Sequence, residues 1–108
     1  MLIRIVKLTF KEESLDFFFN EFNKNKSQIV NFPGCQGMKL LQDLKQKNII
    51  MTYSHWDDEK ALNKYRSSDV FSKLWSKIKI HFSDRPEAWS HAIYFDGFDT
   101  IENPLKQL

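Results

Sequence analysis

Residues 49–62, IIMTYSHWDDEKAL, change from one hydrophobic period to another within a single stretch. Up to Trp56 the side chains alternate between two faces, with the period of two that is typical of a β-strand. Asp57 then stands where a helix N-cap belongs, and Asp58 and Glu59 supply the acidic residues typical of a first helical turn. The stretch therefore predicts a strand that leads directly into a helix.

The residues before this stretch predict a strand, a helix and a second strand. Residues 2–10 alternate as a strand does, and apolar residues recur at helical spacing between residues 12 and 31. Pro33 and Gly34 end that helix and redirect the chain. Residues 36–44 then form a hairpin with residues 48–56, joined by the polar residues 45–47.

The residues after it predict more helix and a last strand. Tyr65 belongs to the first helical segment, and Ser67 or Ser68 can restart the helix. The restarted helix carries an apolar stripe made of Phe71, Leu74, Trp75, Ile78 and Phe82. Residues 84–86 stop it, and an alternating run from Glu87 to about Phe98 predicts the final strand.

The order β-α-β-β-α-β predicts a ferredoxin-like α+β fold, with a four-stranded antiparallel sheet and helices on one face. In that topology the first and third strands are central. The chain has 108 residues, of which 42% are apolar and 15% aromatic, as expected for one packed domain. We assign residues 1–98 to this domain and residues 99–108 to a polar C-terminal tail.

The aromatic content also predicts a partner. Two helical segments cover only one face of the sheet, but the third and fourth strands place large apolar or aromatic groups on both faces. A homodimer that closes sheet against sheet is the simplest way to bury the second face.

Charge and cysteine content exclude other classes. Subtracting 14 acidic from 16 basic residues leaves a net charge of +2 without a long run of one sign, so we expect neither nucleic-acid nor membrane binding. No apolar run approaches the length of about 20 residues that a membrane-spanning helix needs. Cys35 is the only cysteine and cannot form an internal disulfide, so we expect a cytoplasmic protein.

Three segments together resemble the antibiotic biosynthesis monooxygenase domain. They are residues 4–10 (RIVKLTF), residues 31–35 (NFPGC) and residues 53–62 (YSHWDDEKAL), and residues 65–71 (YRSSDVF) also fit. The resemblance covers about residues 2–98. It implies a dimeric α/β barrel, and a monooxygenase that oxidises a small aromatic or quinone-like compound with dioxygen and without a cofactor.

The haem-degrading branch of that family is matched less well. The resemblance would place an Asn at position 6, a Trp at position 65 and an axial His at position 75, where this chain has Val6, Tyr65 and Trp75. His81 lies further along the same helix, on a different face. Haem binding through His81 without turnover therefore stays a separate, third possibility.

Cofactor-independent oxidation needs a polar group that deprotonates or orients the substrate in a dry pocket. His55, near the end of the third strand, and His91, near the start of the fourth, are the catalytic candidates. The topology places them at one end of the sheet, with one strand between them and their backbones about 10 Å apart. They could flank one substrate but not easily share a metal. The alternative for each histidine is a hydrogen bond to a carbonyl group or to water, without a catalytic role.

Flat rings suit aromatic substrates, so we expect the three tryptophans and Tyr65 to line a pocket between the helices and the sheet, and Tyr53 is a further candidate for substrate binding. The candidates are Tyr53, Trp56, Tyr65, Trp75 and Trp89. Three of these residues have a structural alternative: Trp75 could pack in the core, Trp56 could close the end of the domain, and Trp89 could pack at the dimer interface.

The three histidines and one cysteine show no metal-ligand spacing, so we expect neither a metal nor a cofactor. A non-catalytic dimer that binds a small hydrophobic ligand is the rival function.

Overall fold

The computed structural model describes residues 1–98, which form one four-stranded antiparallel sheet with helices on one face. The strands are β1 (Leu2–Thr9), β2 (Cys35–Gln42), β3 (Ile49–Trp56) and β4 (Glu87–His91), and the helices are α1 (Leu15–Val30), α2 (Glu59–Arg66) and α3 (Asp69–Ile78). Single 3₁₀ turns at Glu12–Ser14 and Lys79–His81 precede α1 and follow α3. The predicted tail, residues 99–108, lies outside the described residues.

The strand order β2-β3-β1-β4 confirms the predicted ferredoxin-like topology, with β1 and β3 at the centre. Leu8 of β1 lies opposite Ile50 of β3, and both are buried under the helices. They belong to a core that consists of Leu8, Phe10, Phe18, Ile29, Ile50, Leu74 and Ile78. In the part of the chain that the structure describes, no helix has the length and apolar character needed to cross a membrane.

The other side of the sheet, here called the open face, carries the alternate residues of the same strands. Ile5 of β1 lies between Tyr53 of β3 and Trp89 of β4. Because side chains alternate along a strand, these residues point away from the helices. The chain after β4 turns back toward the opposite edge of the sheet, where Lys39 Nζ of β2 lies 5.9 Å from the ring centroid of Phe98.

The last strand is shorter than the alternation predicts, since it ends at His91 and not near Phe98. The cause is the length of its neighbour. His91 pairs with Ile3, and β1 itself begins at Leu2. The residues that follow His91 therefore have no residues of β1 to pair with. Alternation of apolar residues without a partner strand does not make a strand.

The start of α2 and the end of α3 also differ from the prediction. Asp58, not Asp57, is the N-cap of α2, and its Oδ1 accepts a hydrogen bond from Ala61 N at 2.9 Å. Phe82 is not part of the helical stripe of α3. It lies beyond the helix in an isolated bridge to Phe10, because the end of β1 offers the returning chain a backbone partner.

The turn between α1 and β2 follows the predicted Pro33-Gly34 signal. Gly34 has φ +90°, a conformation that costs other residues a steric penalty. Its carbonyl oxygen accepts a hydrogen bond from Asp57 N at 2.9 Å, which ties the turn to the start of the α2 segment. Ser68, one of the two predicted restart residues, caps α3 by accepting from Phe71 N at 3.3 Å.

Candidate functional site

A cavity of about 280 Å³ lies between the helices and the sheet. Its floor consists of sheet residues that share one face, among them Val6 of β1 and Thr52 of β3. Its walls come from α1, α2 and α3. The side chains that contact it are mostly apolar or aromatic: Val6, Leu8, Phe18, Phe22, Ile29, Met38, Trp56, Leu62, Tyr65, Phe71, Leu74, Trp75, Ile78, Pro86 and Ala88.

Four aromatic rings form a continuous row along one wall of this cavity. Trp56 stacks on Tyr65 with ring centroids 4.9 Å apart, and Phe71 stacks on Trp75 at 5.6 Å. Tyr65 and Phe71 meet edge to face at 5.4 Å and so join the two stacked pairs. Such a wall offers flat apolar surface of the kind that aromatic ligands contact.

Trp56 is held in place from the sheet. It is 1% exposed, and its Nε1 donates to Ser54 Oγ at 2.9 Å. Ser54 Oγ in turn lies 3.5 Å from the carbonyl oxygen of Arg4, to which it donates. The indole is therefore fixed before any ligand arrives, which reduces the entropy lost on binding.

Tyr65 is the ionisable aromatic group of the cavity. Burial raises the pKa of Tyr65 to about 12, and the nearby Cys35 thiol contributes to the shift because it is negative when ionised. The phenol is thus protonated at neutral pH. No hydrogen bond within residues 1–98 engages its hydroxyl group, which leaves that group able to donate to a ligand.

Two arginines complete the lining. Arg4 of β1 and Arg66 at the end of α2 both contact the cavity, whose polar residues are otherwise Thr52, Ser54 and Tyr65. Arg4 Nη1 donates to Ser90 Oγ at 3.1 Å. Neither arginine is among the site residues predicted from the sequence. The signal was present for Arg4, because it shares the parity of Val6 and Leu8 and therefore points toward the helices.

Of the five predicted substrate-binding residues, the structure brings three together. Trp56, Tyr65 and Trp75 line the cavity. Tyr53 and Trp89 lie on the open face, where Ile5 separates them. The sheet itself lies between the two groups, so they cannot contact the same small ligand within one chain.

The two predicted catalytic histidines lie at one end of the open face. His55 of β3 and His91 of β4 both pair with Ile3, so one strand separates them, as expected. His91 is the last residue of β4 and does not lie near its start, contrary to the prediction, because the strand ends where β1 begins. His55 Nε2 is 3.1 Å from the hydroxyl oxygen of Tyr53, and His91 is exposed. Neither histidine lines the cavity, because both have the parity of the open face.

His81 is engaged elsewhere. Its Nδ1 is 2.8 Å from Ser14 Oγ, and its ring packs against Phe17 with centroids 4.4 Å apart. It does not line the cavity. Haem ligation through His81 stays a prediction that would have to compete with these contacts. Among residues 1–98, no group of three or more His, Cys, Asp or Glu side chains could hold a metal ion.

A ferredoxin-like sheet with an aromatic cavity under its helices defines a class of small α+β proteins. Residues 1–75 match the family model for antibiotic biosynthesis monooxygenase. The chain belongs to this family.

Solved structures have the same fold. One, described as an antibiotic biosynthesis monooxygenase, superposes with a TM-score of 0.82 at 20% identity, over 86% of this chain and 98% of the other. A Nitrosomonas europaea protein assigned to the same family gives 0.82 at 14% identity, over 88% and 100%. A conserved protein from Methanosarcina mazei Go1 gives 0.79 at 23% identity, over 84% and 91%. No curated protein matches the sequence.

Proposed function

We propose that the protein binds a small aromatic compound in the cavity between helices and sheet and oxidises it with dioxygen, without a bound cofactor. The observation that carries this proposal is the row of rings formed by Trp56, Tyr65, Phe71 and Trp75 along one wall. A mostly apolar cavity with a few polar groups suits a ligand of that kind. Membership of the monooxygenase family supports oxidation as the reaction.

The proposed reaction starts at an acidic CH₂ group next to the aromatic system. That group loses a proton to solvent water, and the resulting carbanion adds dioxygen to give a peroxide anion, which takes up a proton from solvent. The peroxide loses water and leaves a carbonyl group, so one oxygen atom enters the product and the other leaves as water. The protein has to position the ring, exclude water and stabilise the negative charge that develops on the substrate.

Tyr65 has the protonation state that this stabilisation requires. Because burial raises its pKa to about 12, the phenol is a hydrogen-bond donor and not a base at neutral pH. Its hydroxyl group can donate to a substrate oxygen, on which charge grows when the neighbouring carbon is deprotonated. Trp56 and Trp75 then hold the ring from the same wall.

We keep His55 and His91 as proposed catalytic residues for a substrate that binds on the open face. Both lie at one end of that face, with Tyr53 beside His55 and Trp89 on the strand that carries His91. The sheet separates this location from the cavity. The two locations therefore predict different effects of substitution.

Oxygen uptake with a panel of hydroxylated polycyclic compounds tests the proposal. For a substrate in the cavity, we expect Tyr65→Phe to lower turnover at least about tenfold, since one hydrogen-bond donor is lost. Tyr94→Phe is the matched control, because Tyr94 is fully exposed. His55→Ala and His91→Ala should then leave turnover unchanged.

The opposite pattern, with loss in the histidine variants alone, would move the reaction to the open face. Turnover that neither set of substitutions alters would contradict both site assignments. Absence of oxygen uptake with every compound in the panel, for a protein that is folded by circular dichroism, would contradict the oxygenase function itself.

One observation favours the alternative of a binding protein without turnover. Within residues 1–98, the side chains that line the cavity include no carboxylate and no imidazole, so none of these is a base near neutral pH. A pure binder would show saturable quenching of tryptophan fluorescence by the same compounds, with no oxygen consumed. An enzyme would show both.

We also propose that the protein is a homodimer that closes open face against open face. Within residues 1–98, large apolar side chains remain exposed in and just after β4: Trp89 on the strand, and Ile93, Tyr94 and Phe95 in the segment that follows it. Exposed apolar surface of this extent is typical of an interface.

A further inference from the structure

The cavity contains one feature that a purely apolar ligand would not use. Among residues 1–98, Arg4 and Arg66 are the charged residues that line it. They come from different elements, the central strand β1 and the end of α2. Two positive groups therefore converge on the edge of a space that is otherwise built from apolar and aromatic side chains.

Within residues 1–98, no acidic side chain forms an ion pair with either arginine. The ion pairs formed within residues 1–98 are those of Glu21 with Lys24 and with Lys77, and neither involves an arginine. Burial, and then the positive charge of Arg66, lower the pKa of Arg4 below its ordinary value. A guanidinium group nevertheless stays charged in a protein, so the repulsion persists until an anion enters.

Arg4 is held in position to receive such an anion. Arg4 lies in register with Ser54 on one side and Ser90 on the other, so its backbone is fixed between two strands. The hydrogen bond from Nη1 to Ser90 Oγ orients the guanidinium group and leaves its other N–H groups to a ligand. A planar guanidinium group matches the two oxygens of a carboxylate.

We propose that the ligand of this cavity is a flat apolar molecule that carries a carboxylate, with the ring system against Trp56 and Trp75 and the carboxylate between Arg4 and Arg66. This inference rests on the proposed function, because it takes the cavity as the binding site. It adds the chemical class of the ligand, an aromatic acid. Binding replaces the repulsion between two arginines with two charge-assisted contacts.

Two probes of nearly equal shape measure how much the charge of the ligand contributes to its affinity. 1-Naphthoate and 1-naphthamide share the same ring system and differ in whether the polar group is an anion. Quenching of tryptophan fluorescence reports their binding, since Trp56 and Trp75 line the cavity. We expect naphthoate to bind at least about tenfold more tightly than naphthamide, with an affinity that falls as salt rises from about 0.05 M to about 0.5 M.

Substitutions assign the effect to the arginines. Arg66→Gln should weaken naphthoate binding about tenfold and change naphthamide binding by less than about threefold. Lys64→Gln is the matched control, because it removes the same charge from the same helix at an exposed position outside the cavity. Arg4→Gln should act as Arg66→Gln does. If Arg4→Gln does not fold, Arg66→Gln and the salt dependence of the unsubstituted protein still decide the question.

The outcomes separate this inference from the proposed function. Equal affinity for both probes, or an Arg66→Gln variant that behaves like Lys64→Gln, would overturn the aromatic-acid inference and leave the cavity as a site for neutral aromatic compounds. Failure of both probes to bind would overturn the inference and also contradict the cavity as the binding site.

Discussion

The ring of Tyr65 stacks on the indole of Trp56 at a centroid distance of 4.9 Å and an interplanar angle of 27°. Trp56 ends β3, and Tyr65 lies near the end of α2, so this contact joins the last residue of a central strand to the helix that follows it. Phe32, from the segment before β2, meets Tyr65 edge to face at 5.4 Å. The cavity wall is therefore also what holds α2 against the sheet.

The raised pKa of Tyr65 predicts a pH dependence of stability. The pKa is about 12 in the folded protein and about 10 in the unfolded chain, so the protonated phenol favours folding. That contribution is complete below pH 10 and is lost as the pH rises through 12, by about 2 to 3 kcal/mol in total. Urea denaturation at about pH 8 and about pH 11.5 should show a smaller loss for Tyr65→Phe than for the unsubstituted protein.

Tyr94→Phe serves as the comparison in that experiment, because Tyr94 is fully exposed. It should lose as much stability at high pH as the unsubstituted protein does, because both retain Tyr65. Equal pH dependence of the Tyr65→Phe and Tyr94→Phe variants would contradict the assignment.

Two glycines with positive φ allow a matched test of the turn before β2. An added Cβ at Gly34 would overlap the side chain of Ala61, but one at Gly37 would meet nothing within 4 Å. Both positions disfavour alanine because their φ values are +90° and +144°. We expect Gly37→Ala to cost about 1 to 2 kcal/mol of unfolding free energy, and Gly34→Ala to cost about 1 to 3 kcal/mol more from overpacking.

Urea denaturation of the two variants measures the difference directly. A Gly34→Ala variant as stable as Gly37→Ala would show that α2 can move away from the turn without loss. In that case the close approach of Gly34 to Ala61 would not fix the position of α2.

The contribution of the Ser68 cap to the stability of α3 can be measured. Ser68 Oγ accepts from Phe71 N at 3.3 Å and donates to the carbonyl oxygen of Tyr65 at 2.6 Å. Ser68→Ala should therefore lower the free energy of unfolding by about 1 to 2 kcal/mol. Ser67→Ala is the control, because the contacts of Ser67 are those of its backbone N–H group. A similar loss of unfolding free energy in both variants would contradict a stabilising role of the Ser68 side chain as the cap of α3.

Much of the fold follows from local signals in the sequence. Alternation predicts β1 and β3, the Pro33-Gly34 pair ends α1, and a serine restarts the helix at Ser68. What the pattern does not contain is the length of neighbouring strands. The run from Glu87 to Phe98 alternates throughout, but it is a strand only to His91, where its partner β1 is close to its own start.

The site is less visible in the sequence than the fold. Trp56 and Tyr65 are predicted because flat rings suit aromatic ligands, and the structure stacks the two rings on one wall of the cavity. Which face of the sheet His55 uses depends on register, because a shift of one residue moves a side chain to the other face. Arg4 is not predicted as a site residue, because a single charged residue in an apolar strand is normally interpreted as exposed to solvent.

The proposed dimer predicts both a mass and a variant that abolishes it. Light scattering at micromolar concentration should give about twice the chain mass of 12.9 kDa. Trp89→Glu should shift the protein to monomer, because it places a charge in an apolar interface on the open face. Leu44→Glu is the matched control, since Leu44 is 88% exposed in the β2–β3 loop, away from that face. A stable monomer before any substitution, or dissociation caused equally by both changes, would contradict an interface on the open face.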